Sequence, residues 1–203
     1  MQRIMIICLM ILVALAMVGC EADGELRIRN RTSAKLIFSI DAANPIQLES
    51  WKNWSKYYAE DQVVQIQYQG DYIFPNTLER TIHKGLLTAL DINPTGGAIR
   101  LINNGNAIVF NVFLSLSSDT SWGDDDLGSN LDVNAEALWT LTPVLWDILV
   151  IDSNGTSYFK LGVSVTVDQT INLPLSTFTK SVTNTKTEGI AAPNNPGRSY
   201  RSF

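Results

Sequence analysis

From residue 26 onward the chain alternates apolar and polar positions with a period of two, first at Leu26 and Ile28, then at Leu36, Phe38 and Ile40. Successive side chains of a pleated strand point to opposite faces, so this alternation marks strands with one buried face. Further runs of the kind occupy residues 63–68, 72–74, 86–92, 99–102, 108–116, 137–141, 148–151, 158–161, 163–167 and 171–173. Turn residues separate the runs, and long helical periodicity is nearly absent after residue 20. Many short strands joined by turns predict an all-β chain built as an antiparallel sandwich, not a parallel sheet with crossover helices.

The pattern also repeats. Leu26-Arg27-Ile28-Arg29-Asn30 aligns with Ile99-Arg100-Leu101-Ile102-Asn103, and both halves close on an apolar strand followed by proline: Leu90, Ile92, Pro94 and Ile171, Leu173, Pro174. Two tandem antiparallel immunoglobulin-like β-sandwich modules, residues 26–94 and 98–175, are a simpler reading than one larger sandwich. Asn93-Pro94-Thr95-Gly96-Gly97 is the expected linker, because proline blocks strand pairing and glycine tolerates any backbone angle. Beyond Leu175 the composition turns to Ser, Thr, Asn, Pro and Gly, which predicts a flexible tail over residues 176–203. In that tail Lys180, Lys186, Arg198 and Arg201 outnumber Glu188.

The first twenty residues follow another rule. Arg3 precedes an uncharged apolar run from Ile4 to Val18, shorter than the roughly 20 residues a helix needs to cross about 30 Å of hydrocarbon. It reads as a helical secretory signal peptide over residues 1–19. Its end, Met17-Val18-Gly19-Cys20, resembles the bacterial lipobox, in which small residues precede the cysteine that begins the mature protein. The resemblance implies that Cys20 is the lipid-attachment residue, carrying diacylglycerol and a fatty acyl group such as palmitate. Residues 20–25 would then tether the fold to a membrane of the cell envelope, outside the cytoplasm. Two or three acyl chains hold a protein stably where one holds it marginally. Cys8 would be discarded and Cys20 capped, so the mature chain would hold together through its core, without a disulfide.

Composition narrows the chemistry. The chain has 203 residues, 45% hydrophobic and 17% charged, with a net charge of −5, so a broad basic surface for nucleic acid is not expected. A single histidine, His83, has no Ser, Cys or carboxylate set beside it by any motif, and no cofactor fingerprint or paired zinc ligands are present. The expectation is a non-catalytic protein with no cofactor beyond the acyl groups at Cys20.

In the second half, Asn103, Ser121-Trp122-Gly123-Asp124-Asp125-Asp126-Leu127-Gly128 and the hairpin over residues 147–155 resemble a recurrent small β-sandwich repeat of exported bacterial proteins. That likeness implies a fold, not an activity. Asp124, Asp125 and Asp126 are the one candidate set for a hard cation such as calcium. Consecutive strand residues alternate faces, however, so the three do not converge unless the loop folds back. The alternative has Trp122 packing beneath a turn made by Gly123, with an aspartate capping backbone N–H groups. Asn154-Gly155 between two alternating runs predicts a hairpin turn.

The candidate ligand-binding residues are Trp51, Trp54, Tyr57 and Tyr58. Exposed, such rings stack on sugars or anchor a protein partner; the spacing of Trp51, Trp54 and Tyr58 equally suits a short helix turning them inward. The resulting expectation is a lipid-anchored envelope protein with a binding, adhesive or scaffold role. Its partners would be the membrane and an envelope protein or glycan. The competing reading is a carbohydrate-binding or glycan-processing protein that uses the Trp51 to Tyr58 stretch and acidic loops.

Overall fold

The computed structural model describes residues 22–181 and 198–202; the expected signal peptide, Cys20 and residues 182–197 lie outside them. The chain is all-β, with strands numbered in chain order. In the first module one sheet runs β4 (Asn53–Tyr58), β1 (Gly24–Asn30), β7 (Leu87–Ile92). The facing sheet runs β3 (Ile46–Leu48), β2 (Leu36–Ile40), β5 (Gln62–Gly70), β6 (Ile73–Ile82). In the second module one sheet runs β13 (Thr170–Pro174), β8 (Gly97–Ile102), β10 (Glu136–Leu141), β15 (Arg198–Ser202). Its partner runs β14 (Thr179–Ser181), β12 (Ser157–Ser164), β11 (Leu145–Asp152), β9 (Val109–Leu116). Among the described residues no helix is long and apolar enough to cross a membrane.

Alternation decides what is inside. On β1, Leu26 and Ile28 are buried while Arg27 and Arg29 reach outward. With Phe38, Val64, Ile66 and Ile82 they form the first core. The second core gathers Ile99, Leu101, Val112, Leu114, Ile148 and Val150 around Trp139 and Trp146. A buried indole needs an acceptor for its N–H: Trp139 Nε1 donates to Asp126 O at 3.1 Å and Trp146 Nε1 to Thr142 O at 3.0 Å.

The modules are wired alike. β1 pairs antiparallel with β4 and parallel with β7; β8 pairs antiparallel with β10 and parallel with β13. The antiparallel expectation therefore fails at one strand pair in each module. The first and last strands are joined through the whole module, and so long a connection leaves them free to run in the same direction. Asn30 and Asn103 end the two first strands, wholly buried. Asn30 Nδ2 donates to the carbonyls of Ala34, Leu48 and Glu49 at 2.8–3.1 Å. Asn103 Nδ2 does the same to Ala107, Leu131 and Asp132 at 3.0–3.1 Å. Each amide pins its strand end to two loops whose carbonyls would otherwise be unmet.

The linker is not loose. Neither Gly96 nor Gly97 has positive φ; both are needed for close approach instead. A Cβ on Gly97 would lie 2.1 Å from Thr166 O, and one on Gly96 2.7 Å from Leu141 O. Around them Tyr72 of the first module packs with Ala34 against Ala98 and Leu138 of the second. Polar ties complete the junction. Tyr72 O accepts from Thr95 N and Gly96 N, both at 2.9 Å; Tyr72 OH lies 2.9 Å from Thr170 Oγ1. Thr140 Oγ1 donates to Asp71 O at 3.0 Å, and Ser33 N to Asp168 Oδ1 at 2.8 Å.

The tail boundary also moves. Residues 179–181 pair with β12 and residues 198–202 with β10, so the second module draws strands from the segment expected to be flexible. Backbone donors and acceptors on a sheet edge accept a polar segment as readily as an apolar one, which hydrophobic patterning does not register.

Candidate functional site

The same sheet face is treated in opposite ways in the two modules. In the second module the outward residues of β9, β11 and β12 include Phe113, Leu149, Ile151 and Phe159, and Trp122 from the loop after β9 lies across them. Trp122 is 1% exposed, its ring 6.0 Å from that of Phe159 at 41°. Gly123 turns the chain at φ 77°. Asp125 Oδ1 accepts from Val112 N and Leu127 N, both at 2.9 Å, and Asp125 Oδ2 from Asn111 Nδ2 at 2.8 Å. Asp126 Oδ2 accepts from Leu114 N at 2.8 Å, while Asp126 N donates to Val112 O at 2.7 Å. The two aspartates thus act as a surrogate strand along β9 and hold the loop down as a roof. Asp124 is exposed beside them. The calcium candidates Asp125 and Asp126 aim their carboxylates at backbone N–H groups of β9, and among the described residues no cluster of three or more His, Cys, Asp or Glu side chains is placed to hold a metal.

In the first module the corresponding loop is only residues 41–45, between β2 and β3, and the face is polar. Gln65, Gln67 and Gln69 stand at alternate positions of β5, all exposed. Period two places them on one side, opposite buried Val64 and Ile66. An open groove of about 440 Å³ runs here, lined by Ile37, Ser39, Pro45, Gln67, Gln69 and Thr77. It adjoins a second of about 410 Å³, bordered by Phe74, Asp91 and Asn93; Tyr68, Pro75 and Asn76 line both. Asn76 Nδ2 donates to Tyr68 OH at 2.9 Å, and Gln67 Nε2 to Gln65 Oε1 at 3.3 Å. Amide donors and acceptors flanked by two prolines and a tyrosine can hydrogen-bond and cover an extended polar chain.

The aromatic stretch does not form one platform. Residues 53–58 are strand β4, not a helix, so period two sorts them. Trp54 turns inward, edge-on to Phe38 at 5.2 Å and 68°. Tyr58 is buried as well, where desolvation first and the Asp41 charge second raise its phenol above the ordinary value. Tyr57 faces out at 63% exposure and Trp51 at 59%, but six residues of near-extended chain separate them by roughly 20 Å. Trp51 occupies a left-handed turn with φ 58°. The matching turn of the second module uses Asn134 at φ 67°, a residue type that adopts this conformation readily.

His83 joins Asp61 rather than a nucleophile: its Nδ1 lies 2.9 Å from Asp61 Oδ2, and Lys84 N donates to Asp61 Oδ1 at 2.7 Å. These bonds, the backbone one first, lower the Asp61 carboxyl below its ordinary value. On β1, Glu25 accepts from Ser55 Oγ at 2.6 Å and Arg27 Nε at 2.9 Å, and is lowered by the same two partners in that order. Arg29 and Arg31 share Asp91 Oδ1 at 3.0 and 2.8 Å. The charged stripe on β1 is largely self-paired.

The polar groove was missed from the sequence although its signal was present. Gln65, Gln67 and Gln69 alternate with core residues, whereas β11 is buried on both faces over most of its length, the pattern of a covered strand.

No protein-family model and no curated protein sequence matches the chain. Among solved structures it is similar to the Bacillus anthracis TIE protein, at 9% identity and a TM-score of 0.33, over 75% of this chain and 33% of that one. A likeness of that depth carries no argument.

Proposed function

We propose that this chain is an envelope lipoprotein, acylated at Cys20, that works by binding rather than catalysis: two joined modules that hold the amide-lined face of the first open to an extracytoplasmic partner. The observation that carries the reading is the contrast between equivalent faces, roofed by Trp122 in the second module and left open and polar around Gln67 in the first. The bonds from Ser33, Tyr72 and Thr140 across the junction make the pair suitable as a spacer, since a groove on a rigid body keeps its orientation to the membrane. The glycan platform of Trp51, Trp54, Tyr57 and Tyr58 loses support because two of its four rings turn inward.

Two measurements test this. Labelling with a fatty-acid analogue should mark the wild type and not Cys20→Ala; equal labelling of both would remove the anchor. A photo-reactive side chain at Gln67 should capture an envelope component in intact cells, while the same group at Ser153, on the far hairpin, should not. Identical capture from both positions would withdraw the groove from consideration.

A further inference from the structure

The outward face of β1 differs from its twin on β8 in a way that indicates what it meets. Across β10, β8 and β13 the row Thr140, Ala98, Thr170 is small, and Ala98 and Thr140 are buried because Tyr72 and Asp71 of the first module cap them. The equivalent row in the first module is Tyr57, Glu25, Leu87. Its two flanking side chains are large and project, Tyr57 at 63% exposure and Leu87 at 52%, with Leu86 at 60% beside them, while Glu25 between them is held by Arg27 and Ser55. A module tip like the one bearing Tyr72 has no small-residue socket to enter here. The far tip of this chain also carries Asn154 on the hairpin that matches Tyr72, so head-to-tail stacking of copies lacks both peg and socket.

The end in question is where β1 begins. Glu25 N donates to Leu86 O at 2.8 Å, and Gly24 packs on His83 O. Only three residues separate Gly24 from Cys20, a reach of roughly 14 Å even when fully extended. If Cys20 carries the anchor, this end is held within a headgroup layer's thickness of the bilayer. Tyrosine and leucine beside lysine suit that zone: an amphipathic ring rests at headgroup level, and long cationic side chains such as Lys56 and Lys84 keep their charge in water.

Resting on the lipid-anchor reading above, we propose that Tyr57, Leu86 and Leu87 form a pad that seats the first module in the interfacial layer of the membrane and so fixes its tilt. Glu25, between Tyr57 and Leu87, is neutralised by Arg27, and acidic Asp23, Glu60 and Asp61 lie at the same end as Lys56 and Lys84, so the contact rests on the apolar side chains and is independent of lipid charge.

The test uses the acylated full-length mature protein in phosphatidylcholine vesicles and in phosphatidylethanolamine–phosphatidylglycerol vesicles. An environment-sensitive fluorophore is placed at Leu87→Cys or, as the comparison, at Ser153→Cys. Acylation caps Cys20, so each variant offers one thiol, at an exposed position that folding does not depend on. Emission at residue 87 should shift to the blue and be quenched by brominated lipid in both vesicle types, and emission at 153 should do neither. Should the protein be acylated by mass and the two positions report equal exposure to water, the pad is refuted while the anchor stands. A blue shift at 87 that follows protein density and ignores brominated lipid would assign the face to a second copy and overturn the proposal. An unmodified N-terminal peptide would bring down the anchor and the pad together.

Discussion

Replacing Asn30 by alanine removes the amide that closes the first module at its strand end. Its two N–H donors are shared among the carbonyls of Ala34, Leu48 and Glu49, and its Oδ1 accepts from Thr32 N at 3.0 Å and Thr32 Oγ1 at 2.9 Å. Four bonds at about 1 kcal/mol each give a loss of about 4 kcal/mol, and the orphaned carbonyls hold the value up because each costs about 1–3 kcal/mol when buried and unmet. Asn103→Ala loses the same donors and one accepted bond, from Gly105 N at 3.2 Å, so about 3 kcal/mol is expected there. A domain is stable by about 5–15 kcal/mol, so either change is severe. The adjacent Asn104 is the internal comparison. It bonds Ser176 at 2.7 and 2.9 Å on the exposed surface, and its alanine variant should cost about 1 kcal/mol or less. Urea unfolding of the soluble chain beginning after Cys20 measures all three, as a shift in midpoint at unchanged slope. Were Asn30→Ala or Asn103→Ala no worse than Asn104→Ala, the claim that these amides lock the strand ends would be wrong.

Trp51 carries positive φ, where a bulky side chain costs about 1–2 kcal/mol, so Trp51→Asn should stabilise the chain and raise its Tm by about 2–4 °C; an unchanged or lower Tm would show that the ring makes compensating contacts. Gly97→Ala would place a methyl 2.1 Å from Thr166 O within the second module, and the chain should lose about 1–3 kcal/mol or more in the same urea assay; wild-type stability would mean that the start of β8 and residues 165–166 can move apart without cost. Burial pushes the Asp152 carboxyl up, but donation from Thr156 N, Tyr158 OH and Asn154 N outweighs it and leaves the group below its ordinary value. A lowered carboxylate stabilises the fold above the unfolded pKa of about 3.9, and that contribution disappears as pH falls through the lower folded value. Melting followed from neutral to strongly acidic pH should therefore fall less steeply for Asp152→Asn than for the wild type; parallel curves would contradict the sign.

What could be read without coordinates was whatever depends on a local period. Leu26, Ile28, Phe38 and Ile40 announce their strands, and Asn30 and Asn103 mark the repeat, since each closes the same three-carbonyl gap. What was misread depends on partners distant in sequence. Trp51, Trp54 and Tyr58 fit a helical spacing, yet β1 offers β4 a ladder from Gly24 to Arg29, and pairing with it overrides local preference. Gly96 and Gly97 suggested freedom because closeness to Thr166 and Leu141 is invisible along the chain. The glutamines of β5 gained meaning only beside the roofed twin face.

That comparison of twins also shows that the junction between the modules has a direction. A repeat that docks through identical faces at both ends can add copies without limit, as solenoids do until a capping unit stops them. Here the interface is made asymmetric by few residues. Tyr72 supplies a peg that Asn154 does not, and Ala98 with Thr140 leaves the room that Glu25 with Tyr57 fills. Glu25 is further held by Arg27 and Ser55, so the first module's socket is closed by a self-satisfied polar group with an exposed ring beside it. Opening it as Glu25→Ala with Tyr57→Thr, and building the peg as Asn154→Tyr, should restore both halves of the junction in one chain. The soluble triple variant should then associate head to tail in sedimentation velocity while the wild type stays unchanged. A triple variant that sediments like the wild type would show that peg and socket alone do not determine which module faces dock.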